Sequence, residues 1–120
     1  MAPKDILYDI ISLPRHFNDL GDKSICMLLA ETGYADIRDQ ITIDAIRESL
    51  LEHPECVVDW MQYSADKRTR SGWYFKEGRF REFVVGFVVD GDKRKESQQS
   101  YHDDRDACAA FIKKEIDSLI

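Results

Sequence analysis

The residues whose types can do chemistry are few and scattered along this chain. His16, His53 and His102 have no HxH or HxxxH spacing, so no two of them fall on one face of a strand or helix to share a metal. His102-Asp103-Asp104 with Asp106 gathers carboxylates of the kind that hold a divalent cation. The same residues suit a helix start, where an aspartate caps the first turn and further acids meet the positive end of the dipole. Cys26, Cys56 and Cys108 are odd in number and sit among apolar residues, without the close pairing of a zinc or redox motif. They are expected to be reduced, packed thiols, which points to a cytoplasmic location. There is no GxSxG and no Gly-rich loop between strand and helix. Carboxylates are plentiful enough for a glycosidase-like pair, but 120 residues leave little room for a substrate cleft. The expectation is a binding protein rather than an enzyme, with no catalytic residue, no metal and no cofactor.

Charge is the more informative property. The net charge of −6 divides into −8 over residues 1–66, +4 over 67–102 and −2 over 103–120. An acidic first half repels nucleic acid and attracts a basic partner. Within it, Asp44, Glu48 and Glu52 recur every four residues and so share one row of a helix. Like charges at this spacing destabilise a helix by roughly 0.2–0.5 kcal/mol per pair, and Arg47 relieves only part of that. Such a row is either a solvated face or a surface kept for a partner. With Asp36, Asp39, Glu55 and Asp59 it forms the candidate partner-binding surface. A competing candidate is basic and aromatic: Lys67-Arg68-x-Arg70, Arg79, Arg81 and Lys93-Arg94-Lys95 beside Trp73, Tyr74 and Phe80 are the ingredients of an RNA-binding face. Glu77, Glu82, Asp90, Asp92 and Glu96 are interleaved with them, which favours a mixed surface, with the aromatics belonging to the core.

The elements that must position these residues can be read from periodicity. One domain over residues 1–120 is expected, since the chain can bury one core but not two. No apolar run approaches the ~20 residues of a membrane span, and the start lacks the apolar core of a signal peptide. Pro3 suits a first turn, and Ile6, Leu7, Ile10 and Ile11 mark an amphipathic helix that Leu13-Pro14 is expected to stop, with a loop through Asn18 and Gly21. Residues 24–32 predict a short helix closed by Gly33. Thr42 can cap a third helix with Ile43, Ile46 and Leu50 on one face and Leu51 beside them, ending at His53-Pro54. Residues 56–63 suit either a helix begun by Pro54 or a strand; the helix is preferred because it turns Asp59 and Asp66 to water.

Residues 64–72 predict an exposed connection. Then come a strand over 73–76, a turn at Glu77-Gly78 and a long strand over 79–89, buried on both faces. Asp90-Gly91 predicts a hairpin turn into a polar edge strand over 93–101. Asp103 or Asp104 caps a last helix with Cys108, Phe111, Ile112, Ile116, Leu119 and Ile120 on one apolar face. The predicted fold class is α+β: N-terminal helices, a three-stranded antiparallel meander and a C-terminal helix packed on the sheet.

One succession of residues carries a resemblance: His53-Pro54, Trp60, Tyr63-Ser64, Asp66-Lys67-Arg68, Gly72-Trp73-Tyr74-Phe75, then Cys108-Ala109, Phe111-Ile112 and Glu115-Ile116. In these positions the second half of the chain resembles small bacterial immunity proteins of contact-dependent growth inhibition and related polymorphic toxin systems. The resemblance implies a cytoplasmic protein that binds the C-terminal toxin domain of a neighbouring cell's surface protein and blocks its active site or its access to substrate. Many such toxins are basic nucleases, for which an acidic inhibitor gains association rate and specificity. No direct nucleic-acid or membrane contact is then expected, and an exposed sheet edge permits a homodimer. The alternative function is a small nucleic-acid-binding regulator that uses the basic edge of the sheet.

Overall fold

The computed structural model describes residues 3–20, 24–66, 72–89, 92–93 and 98–119. The fold is α+β, with helices before and after one antiparallel sheet. Helix α1 (Pro3–Ile11) is followed after a single residue by α2 (Leu13–Leu20). The expected stop at Leu13-Pro14 and the Asn18 part of the expected loop are therefore replaced by a second helix, and Gly21 lies outside the described residues. Pro14 falls in its first turn, where a missing N–H costs nothing. Buried Ser12 makes the joint by donating its hydroxyl to the Tyr8 carbonyl at 2.7 Å, while its own carbonyl accepts from the His16 N–H at 3.1 Å.

Helix α3 (Ile25–Thr32) has both predicted caps. The Ser24 hydroxyl accepts from the Met27 N–H at 3.2 Å, and Gly33 closes the other end at φ 79°. A short α4 (Tyr34–Ile37) and one 3-10 turn (Arg38–Gln40), neither foreseen, lead to α5 (Ile43–Glu52). Thr42 caps α5 by accepting from the Ala45 N–H at 3.1 Å. Its buried face is narrower than expected: Ile46 and Leu50 are inside, whereas Ile43 is 41% and Leu51 37% exposed. Residues 55–66 form α6 (Glu55–Asp66), so the helical alternative holds. Fully buried Trp60 donates its Nε1–H to the Ile11 carbonyl at 2.8 Å, tying α6 to the end of α1.

Strand β1 (Gly72–Glu77) pairs antiparallel with β2 (Phe83–Val89), Trp73 opposite Phe87 and Phe75 opposite Val85. Ser64 is not part of an exposed connection. It lies buried in α6 and accepts from the Phe75 N–H at 2.7 Å. Residues 67–71, with the predicted basic connection, and the Asp90-Gly91 turn lie outside the described residues.

Among the described residues, two strand segments pair with β2 on the side away from β1, β3 (Asp92–Lys93) and β4 (Gln99–Tyr101). Val88 is opposite Lys93 and Val85 opposite Gln99. Residues 94–97, which fall within the predicted edge strand over 93–101, lie outside the described residues.

Helix α7 (Asp104–Ser118) is capped by Asp103, whose carboxylate accepts from the Arg105 N–H at 2.8 Å. It does not present a single apolar face. Every residue from Ala107 to Ile112 is buried, because α7 passes between α5 on one side and β1 and β2 on the other. A helix buried all round needs small residues where neighbours crowd it, and Ala107, Ala109 and Ala110 supply them. Phe111 meets Trp60 and Phe75 at ring separations of 6.0 and 5.9 Å. Ile120 lies outside the described residues. No helix among those described is long and apolar enough to cross a membrane.

Candidate functional site

The seven candidate acids separate into two groups once the helices are in place. Asp44, Glu48 and Glu52 are all exposed along α5, with Glu48 72% open to solvent. The geometry follows from the inward pull of Ile46 and Leu50, which turns the other rows of the helix outward. Asp36 on α4 and Asp39 on the following turn are exposed as well. They border a shallow hollow of about 400 Å³ with Ala35, Ile37, Arg38 and Gln40.

Among the described residues, Asp36, Asp39, Asp44 and Glu52 form no ion pair, and Glu48 stands 3.7 Å from the Arg47 guanidinium. Arg47 is drawn away from the row by a hydrogen-bonded ion pair with Asp106 of α7. The repulsion along Asp44, Glu48 and Glu52 is thus left largely uncompensated by the chain itself.

Asp59 and Glu55 differ from these. Asp59 does not simply face water: it is half-buried and 3.1 Å from Arg15 of α2, a contact between residues 44 apart in sequence. Glu55 lies 3.7 Å from His53 Nδ1, and the His53 ring meets Tyr8 edge-on at 4.9 Å. Asp59 thus ties α6 to α2, and Glu55 stands beside His53 at the start of α6, whereas the other five have no such contact to a distant element among the described residues.

Several of the other groups that chemistry could use are engaged in structure, and His16, His102 and Cys26 are exposed. Asp103, the predicted cap, is also held by the Arg105 side chain at 3.2 Å, which keeps its carboxyl below the ordinary carboxylate range. His16 is exposed on α2 rather than in a loop, and His102 is exposed before the cap. No group of three metal-ligating side chains meets among the described residues.

Buried Cys56 is pushed up to about 11 by loss of solvent and then by the nearby Glu55 and Asp59 charges. Burial raises the Cys108 thiol further, and only Cys26 is exposed. Glu115 is 1% exposed inside α7 and accepts the Tyr63 hydroxyl at 2.7 Å, which together with burial raises the Tyr63 phenol above its usual value. Tyr34 is raised for similar reasons, burial first and then its 2.6 Å bond to Asp117.

The basic and aromatic candidates that fall among the described residues are dispersed. Trp73 lies on the α7 face of the sheet, with the Lys114 ammonium 4.6 Å above its ring and Phe87 at its edge. Tyr74 lies on the other face, across Gly86, and takes a hydrogen bond from Gln98. Lys67, Arg68, Arg70, Arg94 and Lys95 fall outside the described residues.

Arg79, Phe80 and Arg81 are exposed together, but not as part of the predicted long strand. They form a tight turn in which Phe80 and Arg81 take φ of 57° and 61°, and the Glu82 N–H bonds the Arg79 carbonyl at 3.1 Å. That is the pattern of a type I′ hairpin turn, which normally selects Asn and Gly. Only Gly78 hinted at it in the sequence, one step too early.

Compared with known proteins, the chain matches no family model, no curated protein and no solved structure.

Proposed function

We propose that this protein is an immunity protein: it binds and neutralises a cognate toxin domain, a basic nuclease, by blocking its active site or its access to substrate in the cytoplasm. The observation that carries the reading is the exposed row Asp44, Glu48 and Glu52, joined by Asp36 and Asp39, four of the five without an ion pair among the described residues. A protein gains nothing for its own fold from leaving these acids uncompensated on one helix. A basic partner would recover that cost and would be steered to the surface by the same field. The packed core supports the reading in a second way. Helix α5, anchored by Ile46, Leu50 and the Arg47–Asp106 pair, offers its acids from a backbone already folded, so little backbone ordering is needed on binding.

The test is genetic and direct. The reading requires a neighbouring gene for a large secreted protein, and the C-terminal domain of that product is to be expressed alone and together with this chain. Cells are expected to die in the first case and survive in the second. Death in both would reject the immunity reading.

A further inference from the structure

The acidic row borders a hollow whose chemistry matches another part of the same molecule. Between α1 and α5, Leu7, Ala45 and Ser49 line a mostly apolar depression of about 290 Å³, and Glu48 and Glu52 stand on its rim. At the far end of the β1–β2 hairpin, Phe80 is 93% exposed, the most open of the large apolar side chains among the described residues, with Arg79 and Arg81 exposed on either side. Neither arginine has an ion pair among the described residues. The backbone makes this display costly. Left-handed φ at two consecutive residues with side chains costs about 1–2 kcal/mol each, where Asn-Gly would cost little. An aromatic side chain held in water on a strained two-residue turn contributes nothing to the core it leaves.

We infer that the Arg79–Phe80–Arg81 turn of one copy docks into the Leu7–Ala45–Ser49 hollow of a second copy, Phe80 filling the hollow while the two arginines pair with Glu48 and Glu52. Shape and charge both choose this occupant. The turn is a narrow convex knob, so it fits a concave hollow better than it tracks an extended polyanion, which needs a groove or a platform. Two cations bracketed by Glu77 and Glu82, on a chain of net charge −6, are a poor footprint for nucleic acid. An apolar hollow edged by two carboxylates is the complement of an aromatic edged by two guanidiniums. When each copy offers both halves, two reciprocal contacts close a two-fold dimer, and a geometry that does not close gives short chains by the same contact. The area buried by two such knobs is small, so the association is weak and concentration-dependent. Because Glu48 and Glu52 belong to the acidic row, a second copy competes with a basic partner for that surface. The inference is nevertheless independent of the toxin reading, being measured on this chain alone.

The experiment is mass measurement by sedimentation in the analytical ultracentrifuge across protein concentration, at low ionic strength and again at ~0.5 M salt, where charge pairs are screened. Reversible association that weakens with salt is expected. Phe80→Ala should weaken it by roughly tenfold or more, as for a central aromatic anchor. Phe80→Asn with Arg81→Gly, the pair best suited to the turn, should raise the thermal midpoint and still remove association, which separates docking from folding. Glu48→Lys with Glu52→Lys should also remove it, and adding Arg79→Glu with Arg81→Glu to that variant should restore it. A monomer at every concentration at low salt, or association indifferent to Phe80→Ala, would overturn the inference. So would Phe80-dependent binding of a single-stranded oligonucleotide by a chain that stays monomeric, which would give the turn to nucleic acid instead.

Discussion

Cys56 and Cys108 show how far environment decides what a side chain can do. A thiol reacts as its thiolate, and both groups lose solvent in the core, Cys56 being pushed up to about 11 and Cys108 well above the usual thiol range. At pH 8 both are therefore protonated as well as covered. The expected outcome of labelling the native protein with a thiol-reactive probe is one rapidly modified residue, Cys26, and two that react only after unfolding; mass spectrometry of the labelled peptides checks it. Since the folded pKa of Cys56 is raised, raising the pH from 7 to 9 should leave its native labelling slow.

The acids tell the same story with the opposite result. That Asp44, Glu48 and Glu52 share a row was legible from their spacing alone, because helical period is a local property. That Asp59 is held by Arg15 was not legible, because a contact across 44 residues depends on how α2 lies against α6.

At the scale of elements, what could be read was what is decided within a few residues. Ser24 and Gly33 bound α3, Thr42 and Asp103 start α5 and α7, and each does so through a bond to a neighbour two or three positions away. Pro14 was misread because proline ends one helix and begins the next by the same property, its missing N–H. The all-round burial of α7 was hidden because Ala107, Ala109 and Ala110 fit either a solvated or a crowded face. Only the layer order, helix α5, then α7, then sheet, decides between the two.

The sheet makes a sharper demand at Gly86. It lies opposite Tyr74, and a β-carbon there would stand within 2.9 Å of three atoms of the tyrosine ring and hydroxyl. Gly86→Val should displace Tyr74 and lower stability by about 1–3 kcal/mol, read as a fall in the denaturation midpoint. Gly86→Val combined with Tyr74→Ser should recover most of that loss if the ring is what the glycine accommodates.

The whole molecule is a scaffold with its charge sorted by region. The helices that precede the sheet carry an excess of acid, the hairpin carries exposed arginines, and α7 joins the two layers from inside. Burial of Trp60, Phe75 and Phe111 in one cluster turns the aromatic centre of the chain into support rather than a binding face. On the proposed reading, recognition falls to the exposed acids of α4 and α5.

The central claim is that the acidic row of α5 steers a basic toxin domain to this protein. It is tested most directly by stopped-flow association of the purified toxin domain with the wild type and with Asp44→Lys, Glu48→Lys and Glu52→Lys combined, over a range of salt concentrations. The account predicts that the triple variant folds normally, associates about tenfold or more slowly at low salt, and loses most of its salt dependence. An association rate and a salt slope equal to those of the wild type would contradict it.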